Sequence, residues 1–82
     1  MAAPATAREK RQLREARLEC IRTLAQRQTI NLPDLTRQLK LPENTVWSML
    51  QTLLRRRWIK DTGTVISDLG RAATGYRAMG QA

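Results

Sequence analysis

The chain has 82 residues, which is enough for one small domain with a limited hydrophobic core. It carries 15 lysines and arginines against 7 aspartates and glutamates, a net charge of +8, so a polyanionic partner is favoured over a neutral substrate. Histidine is absent and there is a single cysteine, which removes the commonest general base and excludes an internal disulfide and most cysteine metal sites. We therefore expect no enzymatic activity, no cofactor and no metal.

The N-terminal part of the chain is predicted to be a short tail followed by a long helix. The tail has neither the basic start nor the apolar core of a secretory signal, and no run approaches the length of a bilayer span, so we expect a cytoplasmic protein with no membrane contact. Residues 8–28 carry apolar side chains at helical spacing, among them Cys20 as a buried thiol. This stripe consists of Leu13, Ala16, Cys20, Ile21 and Leu24. The first two turns, with Arg11 and Arg14, extend beyond the stripe and either contact phosphates or fray.

Residues 31–57 are predicted to form two helices joined by a tight turn. Asn31 caps the first helix, with Asp34 three positions on in a loose capping-box pattern. Pro42 opens the second helix, residues 43–56, because its missing N–H would have had no partner there. One face of this second helix is apolar. It consists of Val46, Met49, Leu50, Leu53 and Leu54.

The opposite face of the second helix carries polar side chains. The amides of Asn44 and Gln51 suit adenine, to which they can form two hydrogen bonds, and Arg55 suits guanine or a phosphate. Trp47 lies at the border between the two faces and either packs at the edge of the core or reaches outward. The face therefore has the chemistry that base edges and phosphates require.

A β-hairpin and a last helix complete the predicted fold. Residues 58–61 and 64–67 are rich in β-branched and aromatic side chains, and Gly63 between them can supply the positive φ of a tight turn. Ser67 then caps a C-terminal helix whose apolar stripe is broad for so small a core, which favours a homodimer. The expected dimer interface consists of Leu69, Ala72, Tyr76 and Met79. The predicted fold is mainly α with a small hairpin, one domain over residues 8–79 between a disordered tail at 1–7 and a tail at 80–82.

The chain resembles known regulators in two runs of its sequence, which are NLPDLTRQLKLPENTVWSMLQTLLRRRWI and VISDLGR. Over residues 13–79 it resembles winged helix-turn-helix transcriptional regulators of the MarR, IclR and DeoR kind. The resemblance implies that residues 43–56 are a recognition helix for the major groove and that the hairpin touches the DNA backbone or minor groove. These families usually have glycine where this chain has Lys40 and Arg57, so either both residues adopt left-handed backbone conformations or the turns differ.

The leading expectation is a small transcriptional regulator that binds double-stranded DNA sequence-specifically. The expected base-reading residues are Asn44, Thr45, Ser48 and Gln51, and the expected phosphate contacts are Arg11, Arg14, Arg37, Lys40, Arg55, Arg56 and Lys60. One alternative is a DNA-binding accessory or architectural factor in replication, partition or recombination. Another is a protein-interaction module whose basic surface docks an acidic protein or RNA.

Overall fold

The computed structural model describes residues 6–79, and the described chain begins with a long helix, α1, Ala7–Arg27. The Thr6 hydroxyl caps this helix by accepting a hydrogen bond from the Glu9 N–H at 3.2 Å. Only the second half of α1 reaches the core. Its buried residues are Leu18, Ile21 and Ala25.

The predicted apolar stripe of α1 is wrong for Leu13, Ala16 and Cys20, and it is confirmed for Ile21, which is buried, and for Leu24, which packs against the core. Leu13 is 53% exposed and Cys20 is exposed, whereas Leu18 is fully buried. Leu18 offers more apolar area than Ala16 or Cys20, so an orientation of α1 that buries Leu18 together with Ile21 stabilises the packing more. The prediction that Cys20 is a buried thiol is therefore also wrong.

The two helices predicted in the middle of the chain are present. A two-residue strand, β1, Ile30–Asn31, leads into α2, Leu32–Leu39, and α3 follows at Glu43–Arg55. The Asn31 side chain accepts a hydrogen bond from the Asp34 N–H at 3.0 Å and donates one to the Asp34 carboxylate at 2.8 Å. The predicted capping of α2 is confirmed, and it aligns the start of this helix with the end of β1.

The helix ends use left-handed residues that are not glycine. Lys40 has φ 56° and Arg57 has φ 60°, which confirms the first of the two outcomes expected for these positions. After α3, the Arg57 N–H donates to the Leu54 carbonyl and the Trp58 N–H to the Leu53 carbonyl, both at 3.0 Å. This pair of bonds is a Schellman motif, which ends α3 and turns the chain towards the sheet.

Two further strands, β2, Ile59–Ile66, and β3, Ala72–Ala78, complete an antiparallel sheet in the order β1-β3-β2. The last strand in sequence is thus the central one. Within β3, Tyr76 pairs with Ile30 of β1 on one side and with Asp61 of β2 on the other.

The predicted hairpin turn at residues 61–63 is wrong. Strand β2 runs through this region with an irregularity between Asp61 and Gly63, where Gly63 has φ 101° and donates its N–H to the Asp61 carboxylate at 2.7 Å. The positive φ of the glycine thus serves a bulge and not a turn. The hairpin turn lies at Ser67–Arg71, closed by the Ser67 N–H donating to the Arg71 carbonyl at 2.8 Å.

The predicted C-terminal helix is also wrong, and with it the fold class. The described chain is α+β, with three helices and a three-stranded antiparallel sheet, and it does not form the expected hairpin at 58–67 followed by a helix. The Ser67 hydroxyl accepts from the Arg71 N–H at 3.2 Å and so closes a turn where a helix cap was expected. Because residues 72–78 form strand β3, the predicted dimer-interface residues Leu69, Ala72, Tyr76 and Met79 do not share a helix face.

The hydrophobic core joins the three helices to the sheet. It consists of Leu18, Ile21, Ala25, Ile30, Leu35, Val46, Met49, Leu50, Leu53 and Ile59. The predicted apolar face of the second helix is confirmed in four of its five residues, since Leu54 is half-buried. Among the described residues, no helix has the length and apolar character that crossing a bilayer requires.

Candidate nucleic-acid interface

The outer face of α3 is a polar ridge. Asn44, Gln51 and Arg55 are spaced seven and four residues apart, so they follow one side of the helix, opposite the four buried side chains. Asn44 and Arg55 are exposed, and Gln51 is half-buried. The core holds the apolar side of α3, so the ridge is presented on a fixed helix.

Arg14 of α1 reaches the edge of this ridge. Its guanidinium donates to the Thr52 hydroxyl at 3.1 Å and approaches the Ser48 hydroxyl at 3.5 Å. The Thr52 hydroxyl in turn donates to the Ser48 carbonyl at 3.0 Å. Among the predicted base readers, Ser48 is thus already engaged by a cation, and Thr45 is half-buried. Sequence reasoning assigned Arg14 to phosphates but missed this contact, because 34 residues separate Arg14 from Ser48.

Arg56 is anchored within the protein. Its guanidinium donates to both carboxylate oxygens of Glu15, at 2.6 and 2.8 Å, and lies over the Trp58 ring at 5.1 Å from the centroid. The hydrogen bond from Arg56 lowers the pKa of Glu15, and the same bond raises the pKa of Arg56. Arg22 also lies over the Trp58 ring, at 4.7 Å. Glu15 therefore offsets the charge of Arg56, whose predicted phosphate contact stays a prediction.

Arg37 is paired as well, in a cluster that joins α2 to the hairpin turn. Its guanidinium lies 3.2 Å from the Asp68 carboxylate and 3.7 Å from that of Asp34. The Asp34 carboxylate also accepts from the Asp68 N–H at 3.1 Å. These groups line a cavity of about 450 Å³ with Asn31 and Thr29, but they bond mainly to one another. Within residues 6–79, no three acidic or cysteine side chains are grouped as a metal site would need.

Four other predicted phosphate contacts have no carboxylate partner among residues 6–79. They are Arg11, Lys40, Arg55 and Lys60, and all four are exposed. Lys40 lies in the turn before α3 and Arg55 in its last turn, so they bracket the polar ridge. Lys60 lies on β2, at the edge of the sheet.

The first two turns of α1 project from the domain. Every residue from 6 to 13 is exposed, and the first buried residue of the helix is Leu18. This segment, which we call the α1 arm, carries Arg8, Lys10 and Arg11 and leads directly to Arg14 beside α3. The arm thus extends the positive charge of the ridge along a second helix.

Trp47 is the largest side chain on the outer part of α3, and it is 54% exposed. It lines an open groove of about 390 Å³ between α3 and β3, with Pro33 and Tyr76 among the other lining residues. Of the two positions considered for Trp47, the structure has the outward one.

No family model, curated protein or solved structure matches this chain. The functional assignment therefore depends on the polar ridge of α3 and the charges around it.

Proposed function

We propose that the chain is a sequence-specific double-stranded DNA-binding protein that reads the major groove with α3. The observation that supports this most is the two-sided character of α3, which is buried through four apolar side chains and presents Asn44, Gln51 and Arg55 on its other side. A helix held in this way can enter the groove without losing its own packing. A role in transcription regulation and a cytoplasmic location, associated with the nucleoid if the protein is prokaryotic, follow from the proposal.

In this proposal the base readers are chiefly Asn44 and Gln51. Both side chains have a donor and an acceptor side by side, as the N6 and N7 positions of adenine require. Ser48 and Thr45 are secondary readers, because Arg14 approaches the Ser48 hydroxyl and Thr45 is half-buried.

The phosphate contacts come from cations that surround the ridge. Arg55 and Lys40 lie at the two ends of α3, and Arg14 with the α1 arm lies along its side. Lysine and arginine that neutralise phosphates release counterions, so this arrangement makes binding strongly dependent on salt.

Salt titration of duplex binding tests the first part of the proposal. With about four to six phosphates neutralised, log affinity is expected to fall against log salt with a slope of about −4 to −5. A slope near zero, or no affinity for duplex at low salt, would contradict the proposal.

Selection of bound sites from a randomised duplex pool tests the reading of bases. Asn44→Ala and Gln51→Ala are expected to relax base preference at one position each, by about 1–3 kcal/mol per good contact. Arg55→Ala is expected to weaken all sequences alike. Arg27→Ala removes the same charge about 20 Å along α1 from Arg14 and is the matched control, with unchanged affinity expected. If Arg27→Ala weakened binding as much as Arg55→Ala, the ridge would not be the contact surface.

Exposed apolar side chains favour a second candidate function, a protein-interaction module. Ile66 is 68% exposed and precedes the turn of the β2–β3 hairpin, and Leu69 is 59% exposed and lies within that turn. Docking of an acidic protein or RNA on the basic surface, without sequence-selective duplex binding, is the outcome that would support it. Base preference without any effect on transcription would instead indicate an accessory or architectural DNA-binding factor.

Homodimerisation remains part of the proposal, because two α3 helices about 34 Å apart would read successive major grooves. Sedimentation equilibrium with and without a palindromic duplex tests it. A monomer in both conditions would contradict it.

A further inference from the structure

Trp47 differs from the other aromatic side chains of the chain, which has two tryptophans, one tyrosine and no phenylalanine. Trp58 and Tyr76 pack against the core, whereas Trp47 is 54% exposed and does not join that cluster. A single exposed apolar residue is ordinary on a protein surface. The position of Trp47 on α3, three residues after Asn44 and four before Gln51, is what distinguishes it.

Trp47 stands in the polar ridge of α3. It follows Asn44 by three residues and precedes Gln51 by four, and these are the spacings at which helical side chains are neighbours. The indole borders one surface groove together with Asn44, Glu43 and Leu32, and it also lines the groove between α3 and β3. Along α3, the apolar indole ring of Trp47 therefore lies between Asn44 and Gln51, the two residues that we assign to base reading.

The major groove contains an apolar group that an exposed indole ring can contact. The adenine that an amide reads is paired with thymine, and thymine presents its C5-methyl group in the same groove. Methylated cytosine presents the same group at the same position of the ring. The cations around the ridge favour a polyanion over an apolar peptide as the molecule that covers Trp47.

We infer that Trp47 is a specificity-determining residue that contacts the C5-methyl group of a pyrimidine in the major groove. The inference rests on the proposed function of α3 and adds to it a preference that hydrogen bonding cannot supply, because the methyl group has neither donor nor acceptor. Burying one methyl-sized group against the indole corresponds to about fourfold in affinity.

Base analogues in the selected duplex test this contact. Replacing each thymine in turn by deoxyuridine removes only the methyl group, and replacing each cytosine by 5-methylcytosine adds it. We expect the unmodified protein to discriminate by about fourfold at one or more positions. Trp47→Ala is expected to bind methylated and unmethylated duplexes equally. Gln51→Ala is the matched control, which loses affinity but keeps the discrimination.

The ratio of the two affinities is measured within one preparation, so a partial loss of folded protein cancels. A loss with deoxyuridine assigns the contact to thymine, a gain with 5-methylcytosine assigns it to methylated cytosine, and either supports the inference if Trp47→Ala abolishes it. Equal affinities in the unmodified protein, or discrimination that survives in Trp47→Ala, would overturn the inference while the DNA-binding proposal stands. Unchanged DNA affinity with loss of self-association in Trp47→Ala would overturn it in favour of a protein contact. Absence of any duplex binding would overturn both.

Discussion

Replacing Gly75 by alanine tests the placement of strand β3, which sequence analysis predicted to be a helix. Gly75 is buried in the centre of the sheet. A Cβ atom at this position would lie 2.7 Å from Val65 Cγ1, 2.8 Å from Thr29 Cγ2 and 2.9 Å from Thr62 Oγ1. All three distances are below the 3.0 Å under which real Cβ contacts essentially do not occur, so neighbours on two sides must move.

A helix and a strand at residue 75 predict changes of opposite sign in the free energy of unfolding of Gly75→Ala. In a helix, alanine in place of glycine would raise the free energy of unfolding by about 1 kcal/mol. In the central strand, the added methyl group overpacks the site, which typically costs about 1–3 kcal/mol. For a domain of this size each kcal/mol moves the melting midpoint by about 4–8 °C, so the difference is easily measured.

Urea unfolding followed by tryptophan fluorescence and far-UV circular dichroism is the assay. We expect Gly75→Ala to unfold at lower urea than the parent with a similar slope, which marks a change in stability. Val65→Ala removes the closest neighbour, so the double variant is expected to be less destabilised than the sum of the two single variants. A Gly75→Ala protein as stable as the parent, or more stable, would refute the central position of β3.

Three further predictions concern the ends and contacts of the helices. Arg57→Gly is expected to raise the free energy of unfolding by about 1 kcal/mol, because glycine adopts the left-handed conformation without the cost of a side chain; a lower urea midpoint would contradict it. The hydrogen bond from Arg56 lowers the pKa of Glu15, so the stabilisation from this ion pair is present at neutral pH and is lost as the pH falls below the ordinary glutamate pKa. Glu15→Gln should therefore melt at a lower temperature than the parent at neutral pH and at the same temperature in strong acid. A difference in melting temperature that persists in strong acid would exclude titration of Glu15 as the cause. Asn31→Ala removes the cap of α2 and the bond to Asp34 and should cost about 1–2 kcal/mol in urea unfolding, whereas unchanged stability would mean that the cap contributes nothing.

Features that depend on residues close together in the chain could be predicted from its sequence, among them the cap of α2, the helix ends and the buried side of α3. The capping of α2 by Asn31 follows from hydrogen bonds between residues three apart, and it is confirmed. The left-handed conformation of Lys40 and Arg57 was one of two outcomes expected at the helix ends, and it is the one found. The buried side of α3 follows from a periodicity of 3.6 residues, because a helix turns the same way whatever surrounds it.

Contacts between distant residues decided the rest of the candidate site. The sequence named Arg14 and Arg56 as cations, but only the fold brings Arg14 to the edge of the α3 ridge and pairs Arg56 with Glu15, 41 residues away. It placed Trp47 at the border of two faces, and only the packing of the other side of α3 leaves this indole exposed.

The sheet shows why the fold class needed the tertiary structure. Sequence alone established α1, α2, α3 and the polar face of α3, since each of these depends on residues within one or two helical turns, and the net charge, which depends on composition only. Residues 72–78 are a strand because β2 pairs with them along the hairpin on one side and β1 pairs with Gly75 and Tyr76 on the other. Strand β1 lies more than 40 residues away in the sequence, and the register with β2 depends on a hairpin turn placed at Ser67–Arg71. Gly63 serves a bulge for the same reason, because the register of β2 is set by the strand it pairs with. A helix satisfies its backbone within itself, whereas a strand depends on its neighbours, so only the assembled sheet could determine this part of the protein.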